Sequence, residues 1–437
     1  MTPTRNAPLP SEADAAPADS SSGEAWWRKL GPGLITGAAD DDPSGIATYS
    51  QGGAQFGFSI GWTILLTLPL MIGIQLASAR IGRITGKGLT ENFARFCPRW
   101  LVLGLVALLV VANVINLGAD LNAMGDAAGL LAGGGKSFFA IGLGLVSLLL
   151  QVFLPYNRYV KILKWLTLSL LAYVGVGFAA KVDWAHALKE TLLPRPTWNK
   201  DYATTIVAVL GTTISPYLFF WQAAQEVEEI GRVDADKPLR VAPEQARSHL
   251  RRLRVDTTVG MAFSNFIAFF MIVATAATLH AKGITNIETT SQAAQALEPI
   301  AGKFAFLLFA LGIIGTGLLA LPVLAGSAAY AVATLMHVRK GLDQPPSAAK
   351  SFYAILAAAM VVGAIISSSG LNPIKALYWA AVINAVISVP IMVAVMIAAS
   401  HQKIVGAMKL PVVWQVLGWL ATAAMAAATV VMFATMG

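Results

Sequence analysis

The sequence predicts an all-α integral membrane protein in which ten helices form two inverted repeats of five, followed by one extra helix. Three observations predict this fold. Of 437 residues, 56% are hydrophobic and only 12% are charged, with a mean hydropathy of +0.65, unlike a soluble domain. The apolar residues form stretches of about 20, the length that crosses a bilayer. Two of these stretches, five apart, are interrupted by proline near their middle.

The segment before the first apolar stretch, residues 1–30, predicts a disordered cytoplasmic tail. Its first 25 residues are rich in Ala, Pro, Ser and acidic residues and contain no apolar run, so we expect no signal peptide. The single cysteine, Cys97, excludes an internal disulfide and a thiolate metal cluster. In so apolar a chain, the net charge of +8 does not indicate nucleic-acid binding.

Apolar stretches follow along the rest of the chain, and we expect each of them to cross the membrane as one span. Residues 31–400 are predicted to hold the ten-helix core, with spans 1–5 and 6–10 as the repeats. Residues 401–437 are predicted to hold span 11. The eleven predicted starts lie near Gly31, Ser59, Trp100, Ser137, Tyr159, Tyr202, Thr257, Phe304, Phe352, Ile374 and Val412.

Lysine and arginine residues concentrate in alternate loops, and this pattern predicts the orientation. With the N-terminus in the cytoplasm, the cytoplasmic segments hold 23 of the 31 basic residues and the opposite side holds 8. The C-terminus then lies outside, and we expect a bacterial-type inner membrane. Cytoplasmic retention explains the basic loop Arg247–Arg254, although gating or binding of lipid head groups stays open.

Span 1 is broken at Asp42-Pro43-Ser44-Gly45, directly after Asp40 and Asp41. A carboxylate at bilayer depth costs about 2.5 to 3.5 kcal/mol on insertion scales, so it normally faces a protein interior or an ion path. Asp followed by Pro also forms a helix N-cap with proline at the first helical position. A helix that restarts in mid-membrane is typical of a transport site.

Span 6 carries the second break, in Gly211-Thr212-Thr213-Ile214-Ser215-Pro216-Tyr217. Taken alone, this segment is equally well explained as a proline kink satisfied by Ser and Thr. Because the two breaks are five spans apart, the two repeats must have opposite orientations in the membrane. This is the arrangement of inverted-repeat transporters, whose site lies between the broken helices near the midplane.

These residues resemble a known family. Gly31-Pro32-Gly33 followed by residues 42–45 is similar to the first helix of the Nramp divalent-metal transporters, usually Gly-Pro-Gly and then Asp-Pro-Gly-Asn. Residues 211–217 align with their sixth helix, which usually ends in Met-Pro-His. Residues 80–87 and 119–121 resemble the loop after their second helix and their third helix. The resemblance covers roughly residues 31–400, and it implies a LeuT-type fold and divalent cation transport.

Departures from the family pattern bear on the choice of ion. Asp42 matches the family's metal-binding aspartate, but Gly45 replaces its asparagine ligand and Ser215 its methionine. Methionine sulfur favours late transition metals, whereas oxygen ligands suit Mg²⁺ and Mn²⁺. Two smaller side chains also leave room for a partly hydrated ion. The pattern resembles the Nramp-related magnesium transporter branch, which has small residues at both positions.

The breaks and the resemblance together define a candidate site. The expected metal-binding residues are Asp42, Gly45, Ala39, Thr212 and Ser215. The expected surrounding residues are Asp41, Asp120, Tyr217, Gln222 and Asn384. We expect no cofactor, because Mg²⁺ or Mn²⁺ is the transported substrate, and the expected partners are this ion and the lipid bilayer.

The resemblance also argues against obligatory proton symport. Tyr217 and Gln222 occupy the two histidine positions of the family's sixth helix, and Ala123 occupies that of a glutamate near Asp120. Without a chain of titratable groups a proton relay is hard to build. We therefore expect uptake by alternating access, driven by the membrane potential. For a divalent ion each 100 mV supplies about 4.6 kcal/mol.

Two other transport functions stay open. One is a proton-coupled Mn²⁺/Fe²⁺ symporter of ordinary Nramp type, since Asp42 and Asp120 are retained. The other is a LeuT-type cation-coupled organic-solute carrier, although Asp42 would repel a substrate carboxylate. The chain has no Gly-x-x-x-x-Gly-Lys-Ser/Thr and no His-Glu-x-x-His motif, so we expect neither an enzyme nor an ATPase subunit.

Overall fold

The computed structural model describes residues 32–154, 168–180, 182–194, 196, 199–232 and 235–436. Regular structure in these residues is entirely helical. The α-helices are α1 (Pro32–Asp40), α2 (Pro43–Phe56), α3 (Trp62–Thr85), α4 (Leu89–Phe93), α5 (Arg99–Ala132), α6 (Lys136–Phe153), α7 (Leu171–Ala179), α8 (Trp184–Leu192), α9 (Lys200–Thr213), α10 (Pro216–Arg232), α11 (Ala246–Thr278), α12 (Thr290–Ala294), α13 (Glu298–Ala301), α14 (Ala305–Leu335), α15 (Lys350–Ser367), α16 (Pro373–Ser400), α17 (Gln402–Val405) and α18 (Val412–Met436).

The predicted all-α membrane fold is confirmed. Within the described part of the chain, nine helical segments are long and apolar enough to cross a membrane, and they correspond to predicted spans 2–4 and 6–11. Span 1, which α1 and α2 form, is not among them, and it carries three acids, Asp40, Asp41 and Asp42. The predicted start of span 5, Tyr159, and the predicted tail, residues 1–30, lie outside the described residues.

The expectation that Arg247–Arg254 forms a loop is wrong. Predicted span 7, expected to start near Thr257, lies within a longer helix, since α11 begins at Ala246, and the basic segment is the first part of this helix. Arg252 gives the physical reason, because its guanidinium donates to Glu229 at 2.5 Å and to Glu226 at 3.2 Å on α10. These ion pairs let the helix continue beyond the apolar stretch.

Both predicted breaks are present. Span 1 is interrupted between Asp40 and Pro43, and span 6 between Thr213 and Pro216. Each second half starts with proline, which lacks a backbone N–H and disfavours a helical conformation in the preceding residue. α1 contacts α10, and α2 contacts α9. The first half of span 1 therefore lies beside the second half of span 6, so the broken helices are antiparallel, as inverted repeats require.

α1 packs directly against the backbone of α11. A Cβ added to Gly33 would lie 2.7 Å from the Thr257 nitrogen, and one added to Gly37 would lie 2.3 Å from the Gly260 carbonyl. Glycine is therefore needed for this close approach. The Gly33 N–H donates to Asp256 Oδ2 at 2.7 Å, which supplies a partner for a donor in the first turn of α1.

An ion-pair layer lies at the end of the fold that is predicted to face the cytoplasm. Its nitrogen–oxygen distances range from 2.5 to 3.2 Å. Its members are Arg83 with Asp236, Arg252 with Glu226 and Glu229, and Arg232 with Asp343. Glu226 is fully buried, whereas Arg232 and Asp343 are exposed, so this layer extends from the packed interior to the surface.

Candidate metal site

Asp42 lies at the break in span 1, and its carboxylate accepts hydrogen bonds from four neutral donors. Oδ1 accepts from the Ser44 hydroxyl at 2.6 Å and the Gly45 N–H at 2.8 Å. Oδ2 accepts from Asn116 Nδ2 at 3.0 Å and the Tyr217 hydroxyl at 3.1 Å. Asp42 is 1% exposed. Because an ionised carboxylate has about four acceptor positions, this environment satisfies the anion without a fixed positive charge.

Asp42 has no basic partner in the part of the chain that the structure describes, since no Lys or Arg side chain there forms an ion pair with it. In the same part of the chain, no three His, Cys, Asp or Glu side chains are grouped to hold a metal ion, so the site differs from a closed structural metal centre. A buried carboxylate without a basic partner is typical of an ion path.

Thr212, in the first half of span 6, faces the break in span 1. Its hydroxyl oxygen lies 3.4 Å from that of Ser44. The Ser44 hydrogen is directed at Asp42, so Thr212 is the donor in this pair. A Cβ added to Gly45 would lie 3.3 Å from Thr212 Oγ1. The predicted residues Asp42, Gly45 and Thr212 therefore meet where the two broken helices cross.

Ser215 lies in the break of span 6, directly before Pro216. Its hydroxyl donates to the Gly211 carbonyl at 2.7 Å and to the Thr212 carbonyl at 3.0 Å. This hydroxyl therefore satisfies carbonyls at the end of α9, while its own oxygen keeps acceptor capacity. Ser388 on α16 similarly donates to the Ile214 carbonyl at 3.0 Å, so a neighbouring helix supports the second break.

Ala39 presents a backbone oxygen beside Asp42. The Ala39 carbonyl lies 3.5 Å from the Tyr217 hydroxyl. Tyr217 has one hydroxyl hydrogen, and its contact with Asp42 is shorter, at 3.1 Å. The Ala39 oxygen therefore retains acceptor capacity, as a metal-binding carbonyl requires.

Asp41 is directed toward span 7. Its Oδ1 accepts from the Ser264 hydroxyl at 3.1 Å, and the same hydroxyl donates to Asp40 Oδ2 at 2.5 Å. Asp40 and Asp41 are both buried. The structure thus holds the two preceding acids against α11, where Ser264 had not been singled out from the sequence.

The structure does not bring Gln222 into hydrogen-bond contact with Asp42. Its side chain accepts from Gln75 at 2.5 Å and donates to Thr257 at 2.8 Å, which links α10 to α3 and α11. Asp120 is different, because it is fully buried and both of its carboxylate oxygens lack a hydrogen-bond partner in the described structure.

Asn384 on α16 is also buried, and neither polar atom of its side chain has a hydrogen-bond partner among the described residues. Asn116 was missed from the sequence, although it contacts Asp42 directly. The spacing to Asp120 could have indicated Asn116, because the two residues are four positions apart and their side chains share one face of α5.

A model of the Nramp family, described as natural resistance-associated macrophage protein-like, matches residues 33–435. The chain belongs to the Nramp family. It is similar to the divalent metal cation transporter MntH of Caldanaerobacter subterraneus, at 27% identity over 363 residues that cover 80% of this chain and 79% of the relative. It is also similar to MntH of Aeromonas hydrophila, at 26% identity over 297 residues that cover 66% of this chain and 69% of the relative.

Solved structures confirm the predicted LeuT-type fold of this Nramp protein. The manganese transporter of Eremococcus coleocola aligns with a TM-score of 0.72 at 16% identity, covering 95% of this chain and 88% of that one. A nucleobase-cation-symport-1 family transporter in a closed conformation aligns with a TM-score of 0.54 at 13% identity, covering 93% and 92%. Nramp proteins are transporters, so the predictions of a non-enzyme and of metal as substrate rather than cofactor are confirmed.

Proposed function

We propose that this protein takes up divalent metal ions by alternating access and that Mg²⁺ and Mn²⁺ are its substrates. The observation that carries the proposal is Asp42, a buried carboxylate with only neutral donors, at the crossing of the two broken helices. The relatives named divalent metal cation transporter and the similarity to a manganese transporter support the same class of substrate.

The chemistry around Asp42 favours hard ions. The nearby groups are a carboxylate, hydroxyls, an amide and the Ala39 carbonyl. Ser44 and Tyr217 now donate to Asp42, but a hydroxyl can rotate and present its oxygen to an ion. Oxygen ligands suit Mg²⁺ and Mn²⁺, and Gly45 adds no side chain at a point where even a Cβ would lie 3.3 Å from Thr212 Oγ1.

Alternating access requires that the ion reach Asp42 from one side at a time. At the end predicted to face outside, a cavity of about 430 Å³ is lined by Gln51 of α2, Thr204 of α9 and Tyr378 of α16. Asp42 itself is buried. We propose that this cavity is the outer vestibule, and that release occurs when α1 separates from α11 at the cytoplasmic end.

Proton coupling is not part of the proposal. The Tyr217 hydroxyl stands where the family pattern has histidine, and Gln222 bonds to Gln75 and Thr257 rather than extending a path from Asp42. We propose that the membrane potential drives entry. Inside-negative potential alone should then support uptake, whereas a pH gradient alone should not drive accumulation.

Uptake into proteoliposomes that contain a metal-sensitive dye tests the function. Mg²⁺, Mn²⁺, Ca²⁺ and Zn²⁺ are compared under an imposed potential, while a separate dye follows internal pH. We expect saturable Mg²⁺ and Mn²⁺ uptake without lumen acidification. Uptake of Zn²⁺ but not Mg²⁺ would contradict the proposed ion preference, and the absence of divalent flux would contradict the function.

One observation favours a second candidate, a proton-coupled Mn²⁺/Fe²⁺ symporter. The Asp120 carboxylate is buried and both of its oxygens lack a described hydrogen-bond partner, and a bound proton would supply a donor. In this case uptake acidifies the lumen in proportion to the metal transported, and Asp120→Asn abolishes the acidification. The same dye measurements therefore separate the two candidates.

We also propose an inner-membrane location with the N-terminus in the cytoplasm and the C-terminus outside. The excess of 23 over 8 basic residues between the two sides supports this orientation. C-terminal fusions to alkaline phosphatase and to green fluorescent protein test it. Phosphatase activity with a dark fluorescent fusion is expected, and the reverse result would invert the topology.

A further inference from the structure

Asn116 is a buried residue of α5, and only one of the two polar atoms of its side chain has a hydrogen-bond partner among the described residues. Its Nδ2 donates to Asp42 Oδ2 at 3.0 Å. Since a carboxylate only accepts hydrogen bonds, the amide nitrogen must face Asp42 and the amide oxygen must point away from it. That oxygen, Oδ1, has no hydrogen-bond partner among the described residues, although Asn116 is 0% exposed.

The partner of the amide nitrogen distinguishes Asn116 from the other asparagines of α5. Asn113 and Asn122 also have an unpartnered Oδ1. Their amide nitrogens, however, donate to backbone carbonyls, of Leu324 at 2.8 Å and Leu371 at 3.1 Å respectively. Asn116 alone among these three is hydrogen-bonded to the carboxylate at the break.

A partly hydrated cation needs acceptors around it. A water bound to a metal ion directs its oxygen to the metal and both hydrogens outward, so its other neighbours must accept hydrogen bonds. Asn116 Oδ1 and the two oxygens of Asp120, one helical turn further along α5, are acceptors without described donors. A buried acceptor left without a partner costs roughly 1–3 kcal/mol, and ion-bound water would remove this cost.

We propose that Asn116 determines ion specificity by accepting a hydrogen bond from a water molecule on the transported ion, while its Nδ2 holds Asp42 in place. This inference rests on the proposed function. Span 3 then contributes directly to the choice between Mg²⁺ and Mn²⁺, because Mg²⁺ gives up its water more reluctantly. The role belongs to Oδ1, so it differs from simply positioning Asp42.

The test compares Asn116→Leu, which removes both functions, with Asn116→Asp, which keeps the acceptor and removes the donor. Mg²⁺ and Mn²⁺ affinities are measured by calorimetry on purified protein and as KM in proteoliposomes. We expect Asn116→Leu to weaken Mg²⁺ binding by about tenfold or more, the usual loss when a group that orients metal ligands is removed. Mn²⁺ binding should weaken less. Asn116→Asp loses the donor that holds Asp42, which affects both ions, but it keeps the acceptor, so the ratio of Mg²⁺ to Mn²⁺ affinity should stay close to that of wild type.

Asn113→Leu is the matched control, since it removes a buried asparagine of the same helix that is not bonded to Asp42. It should leave the ratio of Mg²⁺ to Mn²⁺ affinity unchanged. Normal wild-type transport with an unchanged ratio in Asn116→Leu would overturn this inference alone. A ratio of Mg²⁺ to Mn²⁺ affinity that shifts toward Mn²⁺ in Asn116→Asp would also overturn it, even if Asn116→Leu does not fold. If the wild-type protein transported no divalent ion, the proposed function would be contradicted as well.

Discussion

The candidate metal site and the ion-pair layer both bury carboxylates, but they surround them differently. Asp42 has four neutral donors and no basic partner among the described residues. Glu226, in the ion-pair layer, is also fully buried, and Arg252 lies 3.2 Å from it. One carboxylate therefore has only neutral partners among the described residues, while the other lies beside a guanidinium that it shares with Glu229.

This difference indicates which buried carboxylate is available to a transported ion and which one stabilises the fold. A buried ion pair adds little net stability, but removal of one partner leaves an uncompensated charge. Neutral donors lower the cost of burying Asp42 without cancelling its attraction for a cation. A mobile divalent ion can then bind at Asp42, whereas Arg252 already occupies the corresponding place at Glu226.

The largest expected effect is on transport by Asp42→Ala. This variant removes the only charge at the crossing of the broken helices that the proposal assigns to the ion, so divalent uptake should fall to the level of empty liposomes. The dye assay measures it, and size-exclusion chromatography checks that the variant folds. If a folded Asp42→Ala protein took up divalent ions at the wild-type rate, the Asp42 carboxylate would not be needed for transport.

The next effect is on stability, in Arg252→Leu. Loss of the guanidinium leaves Glu226 buried without its partner, and we expect the free energy of unfolding to fall by about 3 to 5 kcal/mol. Denaturant unfolding in detergent measures it. The double variant Arg252→Leu with Glu226→Leu should recover much of the loss. Equal stability of the single and double variants would contradict the assignment of this pair to structure.

A smaller effect is expected on ion preference in the double variant Ser215→Met with Gly45→Asn. A thioether and a larger amide at the crossing favour softer ions over hydrated Mg²⁺. We expect the ratio of Mn²⁺ to Mg²⁺ uptake to rise by roughly tenfold, equivalent to about 1.4 kcal/mol. Competition between the two ions in the dye assay measures this ratio. An unchanged ratio would mean that neither residue lies near the ion.

The smallest effect is expected from Lys87→Ala. Lys87 lies 2.6 Å from Glu91, but both side chains are more than a third exposed, at 40% and 35%. Such a pair, four residues apart, contributes only about 0.3–0.5 kcal/mol. Unfolding and uptake should both stay close to wild type. A loss comparable to that of Arg252→Leu would show that burial does not separate the two kinds of ion pair.

The helix breaks could be predicted from sequence because their signals are local. Asp42 and Ser215 each precede a proline in an apolar stretch, and proline limits the conformation of the residue before it. The start of α11 could not be predicted in this way, since the partners of Arg252 lie on another helix. The local hydropathy of a segment does not reveal an ion pair with a distant part of the chain.

Part of the candidate site also could not be predicted from the sequence. Ser264 and Asn116 reach the acids of span 1 from α11 and α5, far away in the chain. A serine or asparagine in an apolar helix has several structural roles, so its type alone does not reveal its partner. Thr212 was easier to predict, because it belongs to the broken segment itself.

The glycine contacts between α1 and α11 have a consequence for the speed of the transport cycle. At Gly33 and Gly37 the two backbones touch with no side chain between them, so separation of the two helices requires no rotamer change at these positions. It must, however, break close-packed dispersion contacts and the hydrogen bond from Gly33 to Asp256. The seal at this end is tight when closed, and we expect its opening to contribute to the activation barrier of the cycle. A single methyl group at Gly37 would lie 2.3 Å from the Gly260 carbonyl and would hold the two helices apart.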